Sequence, residues 1–238
     1  MTARELAVAA LRAPQRHYRW TWLLALSLCL APFALLAWEY AAQRLGVNPF
    51  ERLSHFTGTW ALNLLLVTLA VTPGRRHAVR LARAAGAPYG RRYSDWNWLV
   101  KLRRTLGLAA FFYALLHASV YLGLDLGLEF GSLVRDLSEK PYIVAGMTAL
   151  VLLVPLAATS TDAMMRRLGR NWRRLHRAIY AVGVVAVLHY LWFAKAGIVT
   201  PYYYAGVLFV LLADRVVAAF AKRAPGRPAD DDMEVPER

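Results

Sequence analysis

Long apolar runs alternate with short polar stretches along almost the whole chain. A helix that crosses a hydrocarbon layer needs about 20 mostly apolar residues. Six runs meet that requirement, near Trp20 to Ala42, His55 to Thr72, Leu102 to Leu124, Tyr142 to Ala158, Leu175 to Ala194 and Val199 to Phe220. The second and fourth are the shortest. Turn chemistry bounds both, with Pro73-Gly74 expected to close the second and Pro141 to open the fourth. The pattern predicts an all-α integral membrane six-helix bundle over residues 20–222, preceded by a polar arm over 1–19 and followed by a disordered tail over 223–238. That tail contains Ala224-Pro225-Gly226-Arg227-Pro228 and then Asp230, Asp231 and Asp232. The first run lacks a small-residue cleavage site around Ala37-Trp38-Glu39-Tyr40-Ala41, so it is expected to persist as a first helix.

Composition supports the bilayer as solvent, since 58% of the residues are apolar and 12% aromatic, against roughly 45 to 50% apolar in soluble domains. The formal charge of +14 invites a nucleic-acid reading. The basic residues, however, stand in short clusters between apolar runs instead of covering one polar domain, which excludes nucleic acid as the partner. Arg4, Arg12, Arg16 and Arg19 precede the first run; Arg75, Arg76, Arg80, Arg83, Arg91, Arg92, Lys101, Arg103 and Arg104 follow the second; Arg166, Arg167, Arg170, Arg173, Arg174 and Arg177 follow the fourth. The three alternate loops hold few. By the positive-inside rule both termini are cytoplasmic. Trp20, Trp22, Trp60, Trp96, Trp98, Trp172 and Trp192 lie near the ends of runs and read as interfacial anchors. A single cysteine, Cys29, allows neither an intramolecular disulfide nor a cysteine-based metal cluster.

Ionisable groups at membrane depth are costly and mark function, so the histidines are ranked by depth. His17 and His77 fall in basic segments and read as surface residues. His117 and His189 lie on helices that both enter from the basic side, each about 14 or 15 residues along, roughly 20 Å deep. Two neutral imidazoles at one depth can supply both axial ligands of a heme iron suited to electron transfer; taken singly, each is equally a helix-to-helix hydrogen bonder. His176 stands thirteen residues before His189, about 20 Å away and turned by about 140°, so a shared face needs a bulge or tilt. It is either a ligand of a second heme or an interfacial residue beside phosphates. The position thirteen before His117 is Arg104, a poor iron ligand; Arg103 and Arg104 instead suit heme propionates or anionic headgroups. His55 opens the second run and can bond a propionate, a quinone headgroup or a partner, or be merely interfacial. Asp214 and Arg215 are expected to form a local pair.

The segments His55-Phe56-Thr57-Gly58, Arg103-Arg104-Thr105-Leu106-Gly107-Leu108 with Tyr113-Ala114-Leu115-Leu116-His117, and Trp172-Arg173-Arg174-Leu175-His176-Arg177 with His189-Tyr190 together resemble the MsrQ (YedZ) family. This is the heme-binding membrane subunit of the bacterial methionine sulfoxide reductase system, within the ferric-reductase-like transmembrane group. The resemblance implies b-type heme on His117, His176 and His189, and a place in the cell inner membrane. It implies electrons passed from the quinone pool to a periplasmic molybdopterin reductase subunit that repairs oxidised methionine. The chain is then an electron-transfer subunit and not the catalytic one. FMN is implied as well, but no phosphate-cradling glycine loop is visible to hold it. With only a short polar tail after the sixth run, direct oxidation of a soluble nicotinamide is not expected. The rival readings are a transporter or proton channel with a histidine relay, which the scarcity of membrane acids disfavours, and a structural anchor.

Overall fold

The computed structural model describes residues 2–194 and 197–223. Six helical spans long and apolar enough to cross a membrane are present among them, so the two ends of the span region lie on the same side. The tail expected from Ala224 onward lies outside the described residues.

The arm forms a helix of its own, α1 (Ala3–Arg16), begun by a capping box in which the Thr2 hydroxyl accepts from Glu5 N and the Glu5 carboxylate accepts from Thr2 N. His17 is exposed at its junction with α2 (Tyr18–Ala41). The second span is α3 (Pro49–Ala84), with Asn48 as N-cap and Pro49 in the first turn. A 3-10 turn (Tyr93–Trp96) leads into α4 (Asn97–Val120), which ends in a π turn over Tyr121–Asp125. The short α5 (Phe130–Glu139) precedes α6 (Pro141–Ala158), opened by Pro141 as expected. Two short helices, α7 (Asp162–Leu168) and α8 (Arg170–His176), turn at Gly169 with φ +49°. They lead into α9 (Ala178–Phe193), and α10 (Thr200–Arg223) completes the bundle.

The second span corrects the sequence expectation. Pro73-Gly74 does not close it; α3 continues three further turns, to Ala84. A proline inside a helix leaves the carbonyl four residues back without its donor, here that of Leu69. Arg215 of α10 supplies the missing bond, donating from Nη2 to Leu69 O at 2.6 Å, and is itself steadied by Nη1 on the Tyr180 hydroxyl at 2.7 Å. A neighbouring helix thus satisfies the backbone group that proline orphans, the usual remedy within membranes. Arg215 is therefore not paired with Asp214. That carboxylate faces α3, with Arg76 at 3.2 Å and His77 Nε2 at 2.8 Å, so His77 has a specific partner although its side chain is half exposed.

The core lies among α3, α4, α6 and α9, with Leu62, Leu65, Leu69, Ala110, Tyr113, Val182 and Val187 buried. α3 packs chiefly on α4 and α6 on α9, through small residues such as Gly107, Ala109 and Ala110 that allow close approach. α2 contributes only Cys29, Pro32 and Leu36 to buried positions and presents Leu24, Leu28 and Phe33 outward, as a lipid-facing helix does. It is fastened by an unusual bond: the buried Tyr113 hydroxyl donates to Cys29 O at 2.8 Å and accepts from Phe33 N at 2.9 Å, standing inside the ladder of α2 beside Pro32.

Candidate functional site

The imidazoles of His117 and His189, matched in depth by counting along their helices, meet in the structure. Their ring centres are 6.0 Å apart and their planes inclined at 75°. Each ring is held by the helix on which its own helix packs. His117 Nδ1 lies 3.0 Å from Ser54 O of α3, and His189 Nδ1 lies 2.6 Å from Tyr142 O of α6. A carbonyl only accepts, so each Nδ1 carries the hydrogen and each neutral ring keeps its unshared pair on Nε2. Thr57, buried beside His117, donates its hydroxyl to Leu53 O at 2.7 Å and leaves that assignment unchanged.

One local device makes both contacts. Four residues beyond each accepting carbonyl stands a glycine, Gly58 after Ser54 and Gly146 after Tyr142. A Cβ at Gly58 would lie 3.1 Å from Nδ1 and Cε1 of His117, and one at Gly146 would lie 2.9 Å from the same atoms of His189. The bare backbone lets each ring reach a carbonyl that already serves its own helix, using the second lone pair of the oxygen. Gly58 is legible in the sequence as a point of close approach. Gly146, Tyr142, Ser54 and Thr57 are not singled out there; the available signal was a glycine one turn inside an apolar span, which gains meaning only with a partner across the interface.

Other expected site residues are distributed differently. His55 is exposed near the same end of the bundle, its ring 5.6 Å from that of Phe193, which in turn packs on Tyr142. His176 lies towards the basic end at the last position of α8, stacked on Trp172 at 3.9 Å with Nδ1 3.1 Å from Trp172 O. Its Nε2 is 3.4 Å from Ser160 Oγ, whose hydrogen is given to Leu156 O at 2.7 Å, so both ring nitrogens face oxygen acceptors and the contacts do not select a tautomer as they do at His117 and His189. The helix is interrupted at Arg177, directly after His176, a break of the kind that a common face for His176 and His189 requires. Arg104 is exposed and closed by an ion pair with Asp162 at 2.6 Å. Arg103 reaches Thr72 Oγ1 at 3.4 Å. Trp172 also donates to Thr159 O at 2.9 Å and Trp22 to Thr105 Oγ1 at 3.0 Å, so these two tryptophans tie helices together as well as standing near membrane ends.

Among the described residues no group of three or more histidine, cysteine or carboxylate side chains is arranged to hold a metal ion. A tetrahedral zinc site needs three or four protein ligands. Two imidazoles suit a metal whose remaining positions are filled by something other than protein.

The chain matches the family described as ferric reductase like transmembrane component over residues 57–187, from α3 to α9. It is 45% identical over 193 residues to the protein-methionine-sulfoxide reductase heme-binding subunit MsrQ of Xanthomonas campestris pv. campestris (strain 8004), covering 79% of this chain and 81% of that protein. The subunit of the same name from Ralstonia nicotianae is 46% identical over 199 residues, covering 82% of each. That from Xanthomonas axonopodis pv. citri is 44% identical over 193 residues, covering 79% and 81%.

Proposed function

This chain belongs to the ferric-reductase-like transmembrane family and, within it, to the MsrQ subunits, and from that premise we infer that it is a b-type cytochrome of the bacterial inner membrane serving a methionine sulfoxide reductase. The observation that carries the reading is the pair of mirrored clasps on His117 and His189. Each imidazole is fixed in the tautomer an axial ligand needs, by the carbonyl contact that second-shell partners make in metal sites. The 6.0 Å between ring centres leaves the two imidazoles near enough for both to hold one heme iron. Heme supplies a one-electron couple when bound there. Burial of the two rings keeps water away from them, and with both imidazoles as its ligands the heme would be suited to electron transfer and not to oxygen chemistry.

His176, at the basic end, is the candidate ligand of a second heme, and His55 is placed to meet a propionate or a partner at the opposite end. With the termini in the cytoplasm by the positive-inside rule, the His117 and His189 end faces the periplasm. Electrons then enter from the quinone pool and leave to a periplasmic molybdopterin methionine sulfoxide reductase subunit. FMN belongs to the family's expected complement, but the described glycines at positive φ (Gly46, Gly86, Gly90, Gly127, Gly169, Gly197) stand in separate turns and form no phosphate cradle. These glycines do not make up a flavin phosphate loop.

The test is the reduced-minus-oxidised spectrum and pyridine hemochrome yield of purified His117→Ala, His189→Ala, His176→Ala and His17→Ala at equal protein. The first two should lose the low-spin six-coordinate signal, His176→Ala should lose only a second equivalent, and His17→Ala should match the parent. Wild-type heme content and a low-spin spectrum in both His117→Ala and His189→Ala would overturn the axial pair. Electron delivery from a reduced quinol to the purified periplasmic subunit, in proteoliposomes, tests the direction.

A further inference from the structure

The basic end of the bundle holds more partly buried positive charge than its partners balance. Arg215 of α10 and Arg103 of α4 are both set against α3, the first on Leu69 O and the second on Thr72 Oγ1. Positions three apart on a helix are neighbours on one face, with about 5 to 6 Å between Cβ atoms. The carbonyl of Leu69 points along the axis towards the turn that holds Thr72, so two guanidinium groups from different helices meet the same stretch of α3, both only partly exposed. Neither meets a carboxylate among the described residues. Asp214 is the nearby acid, and it is engaged by Arg76 at 3.2 Å and His77 at 2.8 Å. Arg215 Nε is buried and has no hydrogen-bond partner, and the single long bond to Thr72 leaves most of the Arg103 fork unused. Arg104, one residue away, differs because Asp162 closes it at 2.6 Å.

Like charges in a partly dehydrated site repel, and although Arg215 also serves Leu69 O and Tyr180, no anion among the described residues offsets the charge it shares with Arg103. The site lies where α3 leaves its apolar stretch, at the level of Thr72 to Arg76, so it borders the headgroup region. Planar guanidinium forks match the geometry of phosphate oxygens, and two of them neutralise one oxyanion. We propose that Arg103 and Arg215 together bind a phosphate oxyanion at the basic end of the bundle. The phosphodiester of an anionic phospholipid headgroup and a free phosphate ester are the two sources of that chemistry. Arg76, although paired with Asp214, adds to the positive field at the site.

The experiment uses the full-length holoprotein with two probes. Native mass spectrometry compares retention of phosphatidylglycerol with that of phosphatidylcholine, and thermal unfolding is followed while inorganic phosphate replaces chloride at constant ionic strength. The parent should prefer phosphatidylglycerol, and Arg103→Gln should weaken that preference roughly tenfold, as loss of a charge-assisted fork does. Arg215→Lys, which keeps the charge and a donor for Leu69 O, should weaken it less. Stabilisation of the parent and not of Arg103→Gln by inorganic phosphate identifies a free phosphate ester as the source; an effect of phosphatidylglycerol alone identifies the headgroup. The proposal is overturned if Arg103→Gln matches the parent with both probes, or if the exposed Arg80→Gln loses as much, which would make the effect one of bulk charge. It is also overturned if Arg103→Gln loses heme in proportion, which assigns the site to a propionate. Binding that appears only when residues 224–238 are removed assigns it to the acidic run Asp230-Asp231-Asp232 and likewise overturns it.

Discussion

Gly146→Ala places one methyl group where α6 offers bare backbone to His189. The added carbon would lie 2.9 Å from both Nδ1 and Cε1 of the ring, whereas relaxed carbon contacts lie at about 3.5 to 4.0 Å. The ring must retreat by roughly 0.6 to 1 Å. It is held by the 2.6 Å bond from Nδ1 to Tyr142 O, which that retreat stretches to or past the limit of about 3.2 Å for a sound N–H···O bond. Leaving a donor and an acceptor imperfectly paired in the interior costs about 1 to 3 kcal/mol. Alanine's better helix propensity returns at most about 1 kcal/mol. The net expectation is a loss of about 1 to 2 kcal/mol together with a marked fall in bound heme, because the displaced imidazole is the proposed ligand. Gly58→Ala, with contacts of 3.1 Å to His117, should act in the same sense more weakly; Gly74→Ala, where nothing lies within 4 Å, should be neutral or slightly stabilising. Thermal unfolding in detergent and hemochrome yield per protein, measured on the three variants, give the order. If Gly146→Ala melts with Gly74→Ala and keeps full heme, the clasp is not what holds the ring.

Three further outcomes follow from contacts elsewhere in the bundle. Arg215→Gln should cost about 1 to 3 kcal/mol in the parent by freeing Leu69 O and less in a Pro73→Ala background, where the backbone again has its own donor; an additive double-mutant cycle in thermal unfolding would refute the rescue. Asp136 of α5 accepts from the Tyr121 hydroxyl at 2.6 Å and pairs with Lys140 at 2.7 Å, and the Lys140 ammonium, with help from Tyr121, holds its pKa below the ordinary carboxylate value. Its stabilising contribution is thus complete above the unfolded value of about 4 and is lost as pH falls through the lower folded value, so limited proteolysis around α5 should accelerate on acidification and lose that pH dependence in Asp136→Asn. A periplasm-dependent reporter fused between Asp125 and Lys140 should be active and one fused after Arg238 inactive; the reverse pattern would invert the electron path.

The six spans and the meeting of His117 with His189 were legible because both depend on counting along single helices: apolar length in one case, rise per residue in the other. What the sequence hid depends on partners that are distant along the chain. Pro73-Gly74 reads locally as a helix end, and only Arg215, 146 residues beyond Leu69, turns it into a helix interior. Asp214 and Arg215 read as a pair because they are adjacent, yet neighbours on a helix point about 100° apart, and the two side chains serve different contacts with α3. His77 took its meaning from that same carboxylate. The glycine clasps were half visible: Gly58 suggested close approach, but what approaches is a ring from another helix, and its twin at Gly146 is recognisable only once both rings are seen to use the same device.

The two clasps also bear on how the molecule is made. One is complete within α3 and α4, the other within α6 and α9, and each of these consecutive pairs packs mainly on itself. The 72 residues separating His117 from His189 take roughly 4 to 14 s to synthesise at 5 to 20 residues per second, an interval in which the first clasp has all its parts and the second does not. Nothing in either clasp calls on the other pair of helices, so each half holds the contacts needed to place its own ring proton. The proposed heme would then close a seam between two preformed halves, and neither half would need it as a template.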